Sequence, residues 1–285
     1  DLHLSIRRQR QMCIRDRVRK IQKKCLEILD IVDGICHKHG IKYSLCGGSV
    51  VGAYLHNACL SWDDDIDLMM TRDNYNYFIQ VAKNELPEGF SMHNYQMGTD
   101  FNAPFTKIMN DHTTIVQQDG CVSGVFLDIT VYDRIPTNFL ASVSTFLWKV
   151  SQVVMIGKVE PANLQQRLRN LMLSTVLRSK RLYLKFFQFV VELSSKSSSK
   201  YTYSELFGAY ANTTRFAPEI FENYAMVRFE EREYMIVRDM YEYLHTRYNR
   251  TDFREPKEKQ FAPHYQYVNF ELPYKEYLSK VSMNE

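Results

Sequence analysis

Four carboxylates stand within five residues: Asp63, Asp64, Asp65 and Asp67. Carboxylates this close repel one another, so a cluster of them is stable as anions when cations share it. In an extended strand, residues two apart face the same way. Asp65 and Asp67 would thus aim together while Ile66 and Leu68 turn to the core, with Asp63 sharing their parity at the strand entrance. Such a pair suits one or two Mg²⁺ (or Mn²⁺) ions, which take carboxylate and phosphate oxygens together. Upstream, Gly47-Gly48-Ser49 reads as a strand-to-helix turn. Glycines there let backbone N–H groups approach phosphate oxygens. Downstream, Asp128 is one charge within the apolar run Val125-Phe126-Leu127-Asp128-Ile129, the natural third carboxylate.

Other readings of the acidic run explain less. A calcium loop counted from Asp63 would put Leu68 where Gly is needed and Asn74 where Glu is needed. A DxD glycosyltransferase site fits the spacing, but the spacing alone. A solvated acidic loop accounts for the charge; it gives no reason for the run to enter an apolar strand. The Gly-Gly-Ser turn, the Asp-x-Asp strand and a third carboxylate together resemble the nucleotidyltransferase fold of the DNA polymerase β type.

The wider pattern resembles the LicD family, which is related to the fukutin-type glycan phosphotransferases. It is carried by Gly48-Ser49-Val50-Val51-Gly52-Ala53, His56, Ser61-Trp62-Asp63-Asp64-Asp65-Ile66-Asp67, Arg72 and Tyr75. Phe105-Thr106-Lys107-Ile108, Thr113-Thr114, the stretch Phe126 to Asp133, and Tyr243-Leu244, Tyr248, Pro256 and His264 extend it. Leu55 stands where the family usually has Arg, Ala58 replaces a Gly, Ser61 a Pro, and Tyr248-Asn249 lacks the usual Gly. None of these departures removes an expected metal ligand; the Leu55 change bears on donor recognition.

The resemblance implies transfer of a phospho-alcohol, such as phosphocholine, from a CDP-linked donor, with CMP leaving. The acceptor would be a sugar hydroxyl of a surface glycan (lipopolysaccharide, teichoic acid or capsule), free or lipid-linked. Asp65, Asp67 and Asp128 would hold Mg²⁺ or Mn²⁺ and carry catalysis. Gly48, Ser49 and Lys107 would contact donor phosphate, with His56, Trp62 and Arg72 as further substrate-side positions. Packing beside the metal strand is the first reading of Trp62, and local hydrogen bonding that of His56. Addition of NMP to a small acceptor, glycosyl transfer and a non-catalytic nucleotide-binding homologue are the alternatives.

The elements that must position these residues read as follows. Ile21, Cys25, Ile28, Val32 and Ile35 recur at helical spacing and Gly40 ends the helix. A short strand at 43–46 precedes a helix over 49–57 with Ser49 as its cap. Ile66–Met70 is a strand, and Thr71 caps a helix through Asn84. Strands are expected near 90–95, 104–109, 113–117 and 124–132. After Pro136, helices are expected over 138–157, 162–193, 203–212 and 238–248. The class is therefore α+β: a polymerase-β-type core over 18–136, a mixed sheet with flanking helices, and a mainly helical region over 137–285 that completes the site. The aromatic stripe of 182–190 reads first as core. A membrane-facing amphipathic patch is the second reading, supported by Arg178, Lys180, Arg181 and Lys185.

Composition narrows the class. The chain has 285 residues, 45% hydrophobic and 24% charged, long enough for a sizeable core. Residues 1–17 resemble an in-frame translation of a sequencing adapter, or a basic disordered leader, and are set outside the fold. They hold five Arg and two Asp, so all of the formal charge of +3 lies in them. The rest is balanced, which removes the case for nucleic-acid binding. Six cysteines without a CxxC pair suggest a reduced, cytoplasmic setting, with association at the inner face of the membrane as an option, and the five after residue 17 read as small buried hydrophobes.

Overall fold

The computed structural model describes residues 2–94, 105–137, 142–143, 146, 149–150, 163–175, 179–196, 200–205, 214–253 and 264–283. They form a mixed α/β architecture in two units. The first comprises residues 1–92, 107–129 and 223–285, and the second residues 93–106 and 130–222.

The first unit holds the acidic run. Its long helix α1 (Leu2–His39) buries Val18, Ile21, Cys25, Ile28, Leu29, Val32 and Ile35 along one face. Burial explains the periodicity of that stretch. Helix α1 also runs back through residues 2–17, which were expected to be a leader outside the fold. Arg15, Asp16 and Arg17 are exposed and Val18 is buried. The helix closes with bonds from Ile41 N to Cys36 O (2.9 Å) and from Gly40 N to His37 O (3.3 Å), the two bonds of a Schellman end.

Strand β1 (Ser44–Leu45) leads into α2 (Gly47–His56), and β2 (Asp67–Thr71) leads into α3 (Arg72–Glu85). Strands β3 (Phe90–His93), β4 (Thr106–Gln117) and β5 (Val122–Pro136) follow, and the sheet order is β1-β2-β5-β4-β3. Strand β1 pairs antiparallel with β2, Ser44 opposite Met69. Helix α3 buries Tyr75, Phe78 and Ala82. The strands expected at 104–109 and 113–117 are one strand. The polar triplet Asn110-Asp111-His112 looks like a turn, but it is absorbed locally: Asn110 Oδ1 accepts from His112 N (3.1 Å) and Thr113 Oγ1 donates to Asn110 O (2.8 Å).

The region after 136 departs most from expectation. Residues 201–205 are a strand, β6, not a helix; residues 206–213 lie outside the described set. Strands β7 (Tyr224–Phe229) and β8 (Arg232–Val237) form an antiparallel hairpin of the first unit. Helix α6 (Met240–Tyr248) follows, then β9 (Tyr265–Asn269), antiparallel to β4, and α7 (Tyr274–Ser282). Among the described residues of 137–285, strands β6 to β9 stand beside the expected helices, and the span is divided between the two units. Apolar burial against the first unit draws 223–285 back: Phe229, Tyr234, Ile236, Val237, Tyr243 and Leu244 are all buried.

In the second unit the far end of β5 pairs antiparallel with β6, Tyr132 opposite Glu205. Tyr132, Tyr203, Phe216 and Phe221 pack there, with Tyr203 and Phe221 ring centroids 4.7 Å apart. Helices α4 (Leu164–Ser174) and α5 (Lys180–Lys196) replace the single helix expected over 162–193. Most of the helix expected over 138–157 lies outside the described residues. Among the described residues no helix is long and apolar enough to cross a membrane.

Candidate active site

The turn between β1 and α2 faces the acidic run. Gly47 has φ +54°, a conformation that favours glycine. Its N–H donates to the Tyr243 hydroxyl of α6 (3.2 Å). A Cβ on Gly47 would lie 3.7 Å from both Asp67 Oδ2 and Arg247 Nη2, and 3.8 Å from the Tyr248 hydroxyl. These groups thus converge around the turn. A Cβ on Gly48 would lie only 2.2 Å from Asp63 Oδ2, so the side chain of Asp63 sits against bare backbone. Ser49 is not the helix cap; Cys46 holds that position, without a side-chain bond. Ser49 lies one turn in. Its N–H donates to Cys46 O (3.0 Å) and its Oγ accepts from Asp67 N (3.2 Å), which ties α2 to β2.

The loop before the acids is held from behind. Gln22 of α1, fully buried, donates through Nε2 to Leu60 O (2.9 Å) and Asp63 O (2.7 Å). Glu230, in the β7–β8 turn, accepts from Cys59 N (2.9 Å) and from Arg19 (2.8 and 2.6 Å). Backbone and side-chain bonds therefore fix the loop from two elements distant in sequence.

Asp64 is buried, and both its oxygens are taken by His264: Oδ2 by the backbone N (2.9 Å) and Oδ1 by Nδ1 (2.8 Å). Asp128, on β5, accepts both oxygens' bonds from Lys107 Nζ of β4 (2.8 and 2.9 Å). The Lys107 ammonium also lies 3.3 Å from the Phe126 ring centroid, a cation–π contact on a nearly buried side chain.

The electrostatics follow from this crowding. Burial, then the charges of Asp65 and Asp64, push the Asp63 carboxyl up to about 8. Burial, then Asp65, Asp128 and Asp63, hold Asp67 well above the usual carboxylate range, with Arg247 opposing. Asp65 is raised by burial and by Asp64, against a hydrogen bond from Asp63 and the charges of His264 and Lys107. Asp128 is raised by burial, with Lys107 pulling the other way. Anions that disfavour one another in a recess call for a hard cation, and carboxylate oxygens are the donors Mg²⁺ and Mn²⁺ prefer. The donor set therefore fits such an ion.

Of the expected residues, the structure brings Asp65, Asp67, Asp128 and Lys107 into one electrostatic group, with Gly48 against Asp63 and Ser49 bonded to Asp67 N. Among the described residues, the three donors within 4.8 Å of one another are Asp64, Asp65 and His264, not Asp65, Asp67 and Asp128. Asp65 is common to both sets. Asp128 stands outside that trio, with both its oxygens bonded to Lys107. The remaining three lie on the flanks. His56 is the exposed last residue of α2, Trp62 is half-buried in the turn before Asp63, and Arg72 is the buried first residue of α3, its guanidinium 5.4 Å from the Tyr75 ring. Gln22, Arg247 and His264 were not assigned to the site from sequence. His264 and Tyr243 were within the family-like tail; Gln22 carried no signal beyond its place beside an apolar stripe.

Part of the chain matches known proteins. Residues 40–146 match the family model described as LicD/FKTN/FKRP, nucleotidyltransferase domain. The matched span holds the turn, the acidic run, Lys107 and Asp128, so the LicD resemblance carried by the motifs is shown for that segment. The chain is also similar to the lipopolysaccharide cholinephosphotransferase LicD of Haemophilus influenzae, 38% identical over 123 residues. That alignment covers 42% of this chain and 45% of the relative, so the chain spans less than half the length of the relative it matches.

Proposed function

We propose that the chain is a metal-dependent transferase with a nucleotidyltransferase-type core. It moves a phospho-alcohol, phosphocholine in the first instance, from a CDP-linked donor to a sugar hydroxyl of lipopolysaccharide or a related surface glycan. The observation that carries this reading is the recess in which burial, with the crowding of carboxylates, raises the Asp63, Asp65, Asp67 and Asp128 carboxyls beside Lys107 and a glycine turn. The similarity to a named cholinephosphotransferase supports the choice of alcohol and acceptor.

Asp65, Asp67 and Asp128 are the residues that would hold Mg²⁺ or Mn²⁺. When bound, the ion neutralises the donor pyrophosphate and orients it for in-line displacement. The chain's own residues do the rest. The turn at Gly48 lets donor phosphate approach the backbone. Lys107 offsets charge that develops on the leaving CMP oxygen. Its ammonium also favours the ionised form of Asp128, which suits that carboxylate to take the acceptor hydroxyl proton. The acceptor oxygen forms a bond to the phosphorus that bears the alcohol, the bond from that phosphorus to the CMP oxygen breaks, and the hydroxyl proton passes to carboxylate.

The nucleotidyltransferase description of the matched model favours one rival, addition of NMP to a small acceptor with release of pyrophosphate. A thermal-shift panel separates them: CDP-choline, CDP-ribitol, CDP-glycerol, CTP, ATP and UDP-glucose, with and without Mg²⁺ or Mn²⁺. Metal-dependent stabilisation by a CDP-alcohol, lost in Asp65→Ala/Asp67→Ala, is the expected result. Stabilisation by CTP or ATP alone supports the rival.

A further inference from the structure

Helices α4 and α5 carry apolar side chains on the wrong side for a core. On α5, Leu184 and Phe187 are buried, while Leu182, Phe186, Phe189 and Leu193 are more than half exposed. The aromatic stripe of 182–190 is therefore only in part core. At 3.6 residues per turn the four exposed residues fall within about 60° of one another, opposite the buried face. On α4, Leu173 is buried against Val150 and Tyr183, and Leu164, Leu168, Leu171 and Met172 are exposed at the same helical spacing. Each helix is thus apolar on two faces, one of them turned to solvent.

The charge around these stripes is mostly basic, with Glu192 the one acidic residue. Residues 164–200 hold eight basic side chains and one acidic, in a chain whose formal net charge is only +3. On α5, exposed Lys185 and Lys196 flank the stripe, and exposed Arg167 holds the same place beside the α4 stripe. A row of large apolar side chains edged by cations is the pattern of a helix lying in the plane of a bilayer surface, its rings among the acyl chains and its ammonium groups at the lipid phosphates. Neither helix is long and apolar enough to span.

We propose that the α4–α5 face docks on the surface of a bilayer containing anionic phospholipid. Docking stands apart from the transfer chemistry: it uses a different set of residues, and its test reads no activity.

The full chain is floated with vesicles of phosphatidylcholine alone, or of phosphatidylcholine with one-third phosphatidylglycerol, at low and high salt. The wild type is expected to bind the anionic vesicles at least about ten-fold better, with the advantage lost at high salt. Phe186→Ser/Phe189→Ser is expected to lose more than about ten-fold in binding. Lys185→Gln/Lys196→Gln is expected to lose roughly 25-fold at low salt, about five-fold per cation. All four side chains are exposed, so circular dichroism and Tm should hold. Leu168→Ser/Leu171→Ser on α4 is a second, independent variant expected to weaken binding.

Failure of the wild type to float, or equal flotation with both vesicle types, overturns the proposal. So does binding that survives every substitution. A dimer in sedimentation velocity that Phe186→Ser/Phe189→Ser dissociates also overturns it, and assigns the stripe to a second copy of the chain.

Discussion

Replacing Lys107 with Met removes the ammonium that holds Asp128 and keeps most of the side-chain volume. The two charges lie 2.8 Å apart, with side chains 11% and 21% exposed. At that separation and an effective dielectric of about 20, their attraction is roughly 6 kcal/mol. The net loss is smaller, because the variant no longer desolvates an ammonium and Asp128 can take up a proton. About 2–4 kcal/mol is expected, or a fall in Tm of about 5–12 °C. The sign with pH follows from Asp128. Its folded-state pKa is already raised by burial, and Lys107 restrains the rise. Without Lys107 it climbs further. The native variant then binds a proton that the unfolded chain has released, so its stability is retained at low pH and lost as pH rises through the shifted value. Thermal unfolding in EDTA should therefore show a Lys107→Met penalty that grows as pH rises above the usual carboxylate range. Adding Asp128→Asn should remove most of that penalty at high pH. A penalty independent of pH, or one that Asp128→Asn fails to relieve, would refute the reasoning that the pair is held by charge.

Other substitutions test the rest of the site. In EDTA the wild type should lose stability as pH rises toward about 8, because the Asp63 carboxyl titrates there and is protonated in the native state below it. Mg²⁺ should raise Tm more at high pH than at low pH, in the same scans. Gly48→Ala puts a methyl group 2.2 Å from Asp63 Oδ2; activity should fall at least about ten-fold, and the metal-induced Tm shift should shrink, with circular dichroism unchanged. Gln22→Leu strips two carbonyls of their donor in a buried loop. It should cost about 2–3 kcal/mol in denaturant unfolding, whereas exposed Glu27→Gln on the same helix should cost under about 0.5 kcal/mol.

The parts of the site that were legible are local in sequence. Gly47 to Asp67 forms a turn, a helix and a strand entrance within one short stretch, and its residue types carry their chemistry openly. Asp128 stood out because an isolated charge in an apolar strand is expensive unless something meets it. What meets it, Lys107, is 21 residues away on the neighbouring strand, and only strand adjacency reveals the contact. The supports from α6 and His264 lie about 200 residues from the acids, beyond the reach of any periodicity. The hairpin of β7 and β8 escaped for a different reason. Its turn is Glu230-Glu231, with Glu230 at φ +59° and no glycine or asparagine to announce it. The α5 stripe misled because an apolar helical face reads the same whether it meets protein or something outside the chain.

The most direct test of the account is to incubate the protein with Mg²⁺, CDP-choline and a lipopolysaccharide acceptor, and to measure released nucleotide together with phosphocholine on the glycan. The account predicts CMP in step with acceptor phosphocholine, abolished by EDTA and reduced at least about a thousand-fold in Asp65→Asn/Asp67→Asn. Turnover that survives in the double variant, or pyrophosphate from CTP in place of CMP, would contradict it.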